Sequence, residues 1–472
     1  MTNLKKLLSL LLALVMVLSL VACGAAEEPA EEPADEPAAE EPAEETPAED
    51  EPAAERKQIT MWFWGASDYQ RNAMQKWLID AYNNSQEEYE LVVEFRSSVD
   101  SDIAVALSGG GGPDIVYGSG PAFVAGYAAE GLFVNLDSYA EQYGWKDRLV
   151  GAFYDLCTVE GSLYSIPGGM SNFGVFYNKK VLEDNGWAVP TTYEELTATM
   201  DKAIEAGLYG GLIGAKDWRY TNEWPISMLL TSVAGPEAVY KVLTGEQKWN
   251  SPEIVEAANE MVTWYNNGYM GGEDYWSLDA NEIFQYLVDE KTPFCYAPLN
   301  CFQWAKGVAP DDATLDNIGF MLLPAKNGGD APVTLGAVCS YSINAKSEHP
   351  DAAAAVLDYM LTAEFASGMS SEWPGYWGMP VVEFTTVDPA DYEGVYAAYI
   401  QACADVVAAL DAGNFGYAAS TCFPAVTYET SIDIDTVWFG EQSVEEYLDS
   451  LDEAYAEDVE AGSIGQIPMP KF

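Results

Sequence analysis

The run Gln58-Ile59-Thr60-Met61-Trp62-Phe63-Trp64 crowds apolar side chains together and predicts a buried strand that ends at Gly65. From Asp68 to Asn83 the apolar positions move to helical spacing (Met74, Trp77, Leu78, Ala81), which makes Trp77 a core residue, and Asn83-Asn84 closes the segment. Leu91 to Phe95 predicts a second strand. Ile103 to Leu107 predicts a helix, broken by Gly109 to Gly112. Pro113 to Tyr117 predicts a third strand, ending in the small residues Gly118-Ser119-Gly120. Strand, helix, strand, helix, strand is the pattern of an α/β sheet with crossover helices. Ligands bind such sheets beyond the carboxyl ends of strands, here Trp64 to Asp68 and Tyr117 to Ser119. Further on, Leu163 to Pro167 and Val175 to Lys179 read as strands around a Gly-Gly turn. A helix follows from Val181, and Thr191 or Thr192 caps another, with Glu194 and Glu195 in its first turn. Asp351 to Phe365 and Val444 to Val459 are strongly helical in pattern.

Before all this lies a different kind of sequence. Lys5 and Lys6 precede an apolar stretch from Leu7 to Leu18 interrupted only by Ser9, and the segment closes with Leu20-Val21-Ala22-Cys23-Gly24. A positive start, a short apolar run and a small residue before the break describe a secretory signal. It is too short for a spanning helix. The Leu-Val-Ala-Cys ending resembles the bacterial lipoprotein signal (lipobox), which implies that Cys23 carries acyl chains and is the mature N-terminus. Gly24 to Glu55 hold only Gly, Ala, Glu, Asp, Pro and one Thr in a loose EEPA-like repeat. Without aromatic or β-branched aliphatic residues nothing offsets the entropy of ordering, so this reads as a semi-extended acidic spacer.

Charge and rare residues narrow the chemistry. The formal net charge is −54, and only fourteen of the 75 acids lie in the spacer, so the remaining body is itself strongly acidic. Such a surface repels phosphate backbones and argues against nucleic acid as a partner. The single histidine, His349, sits before a helical pattern and reads as a polar turn at a helix start, leaving little room for a Ser-His-Asp or His-ligated metal site. No cofactor is expected. Besides Cys23, Cys157, Cys295, Cys301, Cys339, Cys403 and Cys422 are scattered in apolar contexts, so buried thiols and disulfides both stay open. The glycine run lacks the Gly-Lys-Ser/Thr ending of a phosphate loop and precedes a strand, so it reads as a turn.

Several pieces in order resemble a known family. They are Ile59 to Trp64; Gly112-Pro113-Asp114-Ile115-Val116-Tyr117 with Ala129-Glu130-Gly131-Leu132-Phe133; Tyr164-Ser165-Ile166-Pro167 with Val175-Phe176-Tyr177-Asn178-Lys179; and Pro190 to Leu196. Leu335-Gly336-Ala337 through Ser342-Ile343-Asn344, Ala352 to Tyr359 and Gly378-Met379-Pro380 complete the series. From about Gln58 onward the chain resembles the extracellular solute-binding proteins of bacterial ABC importers, in the sugar-binding group that includes maltose-binding protein. The resemblance implies an α/β, two-lobed periplasmic-binding-protein-like fold with a hinge and an interlobe cleft. It implies a signal at 1–22 and a lipidated cysteine with spacer at 23–56. The N-terminal lobe would comprise 57–168 plus about 340–381, and the C-terminal lobe 169–339 plus about 382–472. Hinges would fall near Gly168-Gly169, Gly336 to Ser340 and Val381. The expected protein is a monomer, lipid-anchored on the outer face of the cytoplasmic membrane of a Gram-positive-type bacterium. It would hand a carbohydrate, in first place an oligosaccharide, to permease subunits.

Sugar rings offer apolar faces and hydroxyl rims, which flat aromatics, amides and carboxylates match. The residues expected at the cleft are Trp64 and Asp68 after the first strand, Ser119 after the third, and Ser171 and Asn172 after the first hinge. Trp218, Arg219 and Trp224 stand in an irregular loop, Asn300 and Trp304 after a later strand, and Trp373, Tyr376 and Trp377 in a loop read as exposed. Leu299-Asn300-Cys301 departs from the glycine-tryptophan pair usual in the family, and Gly118-Ser119-Gly120 does not support maltose specificity. Arg219 either meets an anionic sugar or pairs with a carboxylate. Two other functions compete. A polyamine-binding protein of the same fold would use acids with aromatics, and a surface glycosidase would need a carboxylate pair that no local motif nominates.

Overall fold

The computed structural model describes residues 56–471 except Ser119 and Asp217. The signal, Cys23 and the spacer, expectations of the sequence, lie outside the described residues. β1 (Lys57–Trp64) buries Ile59, Met61 and Phe63 on one face and leaves Thr60, Trp62 and Trp64 half-buried on the other, the two-residue period of a strand. A helical segment follows: α-helical over Asp68–Met74, π-helical over Gln75–Asp80 and α-helical again over Ala81–Ser85. Within it Trp77 is half-buried and its indole donates to Glu372 at 2.9 Å. β2 (Tyr89–Arg96) and β3 (Ile115–Gly118) run parallel to β1 on either side. The Pro-Asp before β3 has a defined use. Asp114 Oδ2 accepts the Thr60 N–H and hydroxyl, both at 2.8 Å, and Oδ1 accepts the Ser347 hydroxyl at 2.6 Å, so one carboxylate ties three segments.

After β3 come α1 (Pro121–Ala129) and the short β4 (Ile166–Pro167). The chain then leaves the first sheet. β5 (Phe173–Asn178), α2 (Glu223–Leu229), β6 (Phe294–Pro298), α3 (Phe302–Val308), β7 (Ile318–Met321) and β8 (Val333–Leu335) build a second body, in which β6 and β7 flank β5 antiparallel. β9 (Ser340–Ile343) returns to the first sheet, giving the order β2-β1-β3-β9-β4. α4 (Gly394–Ala412) then packs on β7, β10 (Phe415–Tyr417) pairs parallel with β8, and α5 (Ala419–Cys422) and α6 (Ala425–Ser431) follow. The strands expected around a Gly-Gly turn therefore belong to different sheets, and 168–172 is a connection between them. The helix expected over Asp351 to Phe365 is two helices, Pro350–Met360 and Ala363–Glu372, because Thr362 caps the second by accepting the Phe365 N–H.

Three connecting stretches lie side by side between the sheets. Gly168 N–H donates to Cys339 O at 2.9 Å, Val338 N–H to Gly169 O at 3.0 Å and Ser171 N–H to Gly336 O at 2.8 Å, while Met170 N–H reaches Gly378 O of the third stretch at 2.9 Å. Gly169 has φ 136°, and a Cβ there would stand 2.4 Å from the Tyr376 carbonyl oxygen. Strain and overlap act together at that position, so Gly169→Ala should cost about 2–4 kcal/mol, read as a lowered urea midpoint at unchanged m-value. The six described cysteines are free and buried, and burial pushes the Cys157, Cys339 and Cys403 thiols up to about 12. This settles the open choice in favour of inert thiols.

Candidate functional site

Two aromatic groups stand at the connecting stretches, one on each body. On the first, the Trp64 ring leaves the end of β1, stays half-buried and donates its indole N–H to Tyr376 OH at 2.8 Å. Trp373 meets Trp64 edge-on at 5.6 Å and stacks on Tyr376 at 4.9 Å. On the second body the Trp218 ring is 44% exposed and meets Trp224 edge-on at 6.2 Å; Trp224 in turn lies 6.0 Å from half-buried Trp304.

The segment Asn300 to Trp304 joins these groups. Asn300 Oδ1 accepts the Ser171 hydroxyl at 3.2 Å, and Gln303 Oε1 accepts the Trp373 indole at 2.8 Å and the Gln70 amide at 3.3 Å. Gln303, which the sequence reading missed, is thus a buried polar bridge between α3, the segment after β1 and the third connecting stretch. Lys306 donates to Glu372 O at 2.7 Å in the same seam, and partial burial lowers its pKa.

The sequence-expected residues divide by exposure. Trp64, Ser171, Asn300 and Trp304 are half-buried around the seam, and Asp68 and Trp218 are exposed. Ser119 lies outside the described residues. Trp373 and Trp377, expected in an exposed loop, are fully buried, and Tyr376 is 5% exposed. The reason is packing: Trp377 stacks on Phe63 at 5.7 Å and on Tyr341 at 5.8 Å, so the loop is the third connecting stretch plugged into the first sheet. Trp224 is buried behind Trp218 and Trp304 and supports their rings. Asn172 is fully buried, its amide donating to Thr334 O at 2.6 Å, which makes it a brace at the start of β5.

Arg219 is committed within the protein. Its Nε reaches Asp435 Oδ2 at 2.6 Å, Nη2 reaches Asp435 Oδ1 at 2.5 Å and Nη1 reaches Asp433 Oδ1 at 2.6 Å. The fork fits a planar guanidinium, and the two carboxylates raise its pKa further. Beside it, Tyr220 stacks on Tyr428 at 5.9 Å and donates to Glu429 at 3.0 Å, lining an open cleft of about 380 Å³ with Arg219 and Asp433. Tyr220, Glu429 and Asp433 carried no motif in the sequence. Glu223 was missed as well. It is a buried acid at the first position of α2, and only the tertiary packing reveals that burial.

This arrangement can present ring faces and amide or hydroxyl groups to a neutral polar ligand. Among the described residues no cluster of His, Cys, Asp and Glu is arranged to hold a metal ion. Known proteins agree with the fold. The chain is similar to a probable sugar-binding periplasmic protein of Mesorhizobium japonicum (28% identity over 115 residues, 24% of this chain and 27% of that protein). It is also similar to the alpha-glucosides-binding periplasmic protein AglE of Rhizobium meliloti (28% over 203 residues, 39% of this chain and 42% of that protein). The matched stretches therefore span less than half of these relatives. Over nearly the whole fold it superposes on the cyclic alpha-maltosyl-1,6-maltose binding protein of Arthrobacter globiformis, with TM-score 0.67 and 20% identity, covering 86% of this chain and 100% of that one. The sequence model of the bacterial extracellular solute-binding proteins matches residues 67–366. With most of the chain inside that match and a two-lobed α/β fold around it, the chain belongs to the bacterial extracellular solute-binding protein family.

Proposed function

We propose that this protein captures a carbohydrate, in first place an oligosaccharide, between its two lobes and delivers it to the permease of an ABC importer, doing no chemistry of its own. The observation that carries this reading is the pair of aromatic groups, half-buried Trp64 on one body and Trp304 with exposed Trp218 on the other, joined by Asn300 and Gln303. Aromatic faces with a few fixed polar groups match the two-sided chemistry of a pyranose. The binding set of this proposal is Trp64, Asp68, Ser119, Ser171, Trp218, Asn300 and Trp304. Trp224, Trp373, Tyr376 and Trp377 act behind them, and Asn172 and Arg219 hold the frame. The lobes are 57–168 with about 340–381, and 169–339 with about 382–472. They close about the three hydrogen-bonded connecting stretches, and ligand stabilises the closed state. The relatives are named for periplasmic sugar or glucoside binding, which supports the same reading. We place the protein outside the cytoplasm as a monomer held by acyl chains on Cys23, with no other membrane contact.

A thermal-shift panel of malto-, xylo- and chito-oligosaccharides, with spermidine as the rival ligand, tests the function. A sugar present at about a hundred times its dissociation constant adds about 2.7 kcal/mol and raises Tm measurably. A flat sugar panel with a spermidine response would replace carbohydrate by polyamine. For the sugar that binds, Trp304→Ala should weaken affinity about 10- to 100-fold by calorimetry, the loss expected of an aromatic anchor.

A further inference from the structure

The one polar atom of the Trp64 side chain is already spent inside the protein. Its indole N–H donates to the Tyr376 hydroxyl at 2.8 Å. That phenol is buried and donates in turn to Cys339 Sγ at 3.7 Å, and the buried Cys339 thiol donates to Gly168 O at 3.8 Å. Every link points the same way, from a half-buried ring at the end of β1 to a backbone carbonyl of the first connecting stretch. The chain also touches all three stretches, since Gly168 lies in the first, Cys339 in the second and Tyr376 in the third. We propose that the Tyr376 hydroxyl is the positioning group of Trp64: it sets the plane in which that ring meets a ligand and ties the plane to the connecting stretches through Cys339. The inference rests on the binding reading above.

The direction of the chain follows from its members. An indole N–H can only donate, so the Tyr376 oxygen accepts there and the phenol's own proton is left for another acceptor, which the sulfur provides. The Tyr117 and Tyr341 hydroxyls neighbour the phenol, and burial keeps all three neutral. Packing leaves little slack around the links. A Cβ on Gly168 would overlap the Cys339 sulfur, and one on Gly169 would overlap the Tyr376 carbonyl oxygen. Three rings back the indole: Phe63 lies along it at 5.1 Å, and Trp373 and Tyr376 meet it edge-on at 5.6 and 5.4 Å.

Two consequences follow for the site. With its N–H committed, Trp64 offers a ligand the stacking surface of its open side and no hydrogen bond, so recognition of hydroxyls falls to other residues. A ring held in this way has little freedom left to lose when a ligand arrives, whereas an untethered indole would be ordered at the expense of affinity. Hydrogen bonds in series inside a protein polarise one another, so removing the sulfur should be felt at the indole two links away.

The test reads the ring and the affinity separately. In the ligand-free protein labelled with nitrogen-15 tryptophan, the indole resonance that vanishes in Trp64→Phe belongs to Trp64. Tyr376→Phe, which keeps the ring stacked on Trp373 at 4.9 Å, should move that resonance upfield and speed its exchange with solvent. Cys339→Ala should move it the same way by less, and it carries the test alone if Tyr376→Phe does not fold. Maltotriose, xylotriose and chitotriose are the probes for calorimetry. The sugar that binds should be held about three- to tenfold more weakly by Tyr376→Phe, and the same change made in Trp64→Phe should add less than about a twofold loss, as expected of groups that act through one another. An unmoved resonance, undiminished affinity in Tyr376→Phe, or an equal loss with and without Trp64 would each overturn the proposal. Unweakened sugar binding by Trp64→Phe would overturn it too, while leaving carbohydrate capture in place. Failure of all three sugars to bind, with the resonance displaced in both variants, would count against carbohydrate capture while supporting the chain from Trp64 to Gly168.

Discussion

Trp377→Ala should lower the free energy of unfolding by about 3–5 kcal/mol, the usual cost of emptying a large aromatic site in a packed core. The ring has no exposed surface and sits between Phe63 and Tyr341 in near-parallel stacks, with Phe365 edge-on at 5.4 Å. Those three neighbours come from β1, from β9 and from the helix Ala363–Glu372, so a cavity there loosens the sheet and the third connecting stretch together. The Trp377 indole N–H is buried with no hydrogen-bond partner. Trp377→Phe removes that unpaired donor while keeping much of the volume, and should cost well under half of the alanine change. Urea denaturation of both variants checks the pair. A large loss of sugar affinity with unchanged stability in Trp377→Ala would instead return this residue to the binding surface.

Arg219→Ala carries the second large effect, about 2–3 kcal/mol of stability. Asp435 is 2% exposed and would keep only the Asn222 amide, at 2.9 Å, as a side-chain donor. Removing one partner of a buried pair strands the other charge, which in full burial costs about 3–5 kcal/mol. Arg219 itself is 42% exposed on its side chain, so water can replace part of what it gives, and the lower figure follows. Arg219→Lys should recover only a fraction, because an ammonium cannot span both Asp435 oxygens and Asp433 at once. Urea midpoints of the two variants, read beside their affinity for the bound sugar, separate a frame-holding arginine from a ligand-binding one.

Both results turn on contacts that local sequence does not contain. β1, β2 and β3 were legible because burial alternates or clusters within a few residues, and the Thr192 cap was legible because its hydroxyl acts three residues away, on the Glu195 N–H. The Trp373 to Trp377 loop was not. A stretch dense in aromatics looks alike whether it faces ligand or core, and the residues that bury it, Phe63 and Tyr341, lie far off in the chain. Arg219 presented the same difficulty, since its partners stand more than two hundred residues later. Of the residues proposed for the site, Trp64 and Trp304 were nominated by their place after a strand, and the structure leaves both half-buried. Gln303, Tyr220, Glu429 and Glu223 were invisible because their significance is purely tertiary.

The position of β9 has a consequence in time. It lies between β3 and β4, and β4 pairs with no other strand of that sheet, so the first sheet is incomplete until residues 340–343 have been made. At ribosomal speeds of about 5–20 residues per second, the wait after β3 is on the order of ten to forty seconds. Non-local closure of this kind is slow in any case. The first sheet of a nascent chain therefore stays open for that time, and its closure waits on a strand made late in the chain, after the whole of β5 to β8.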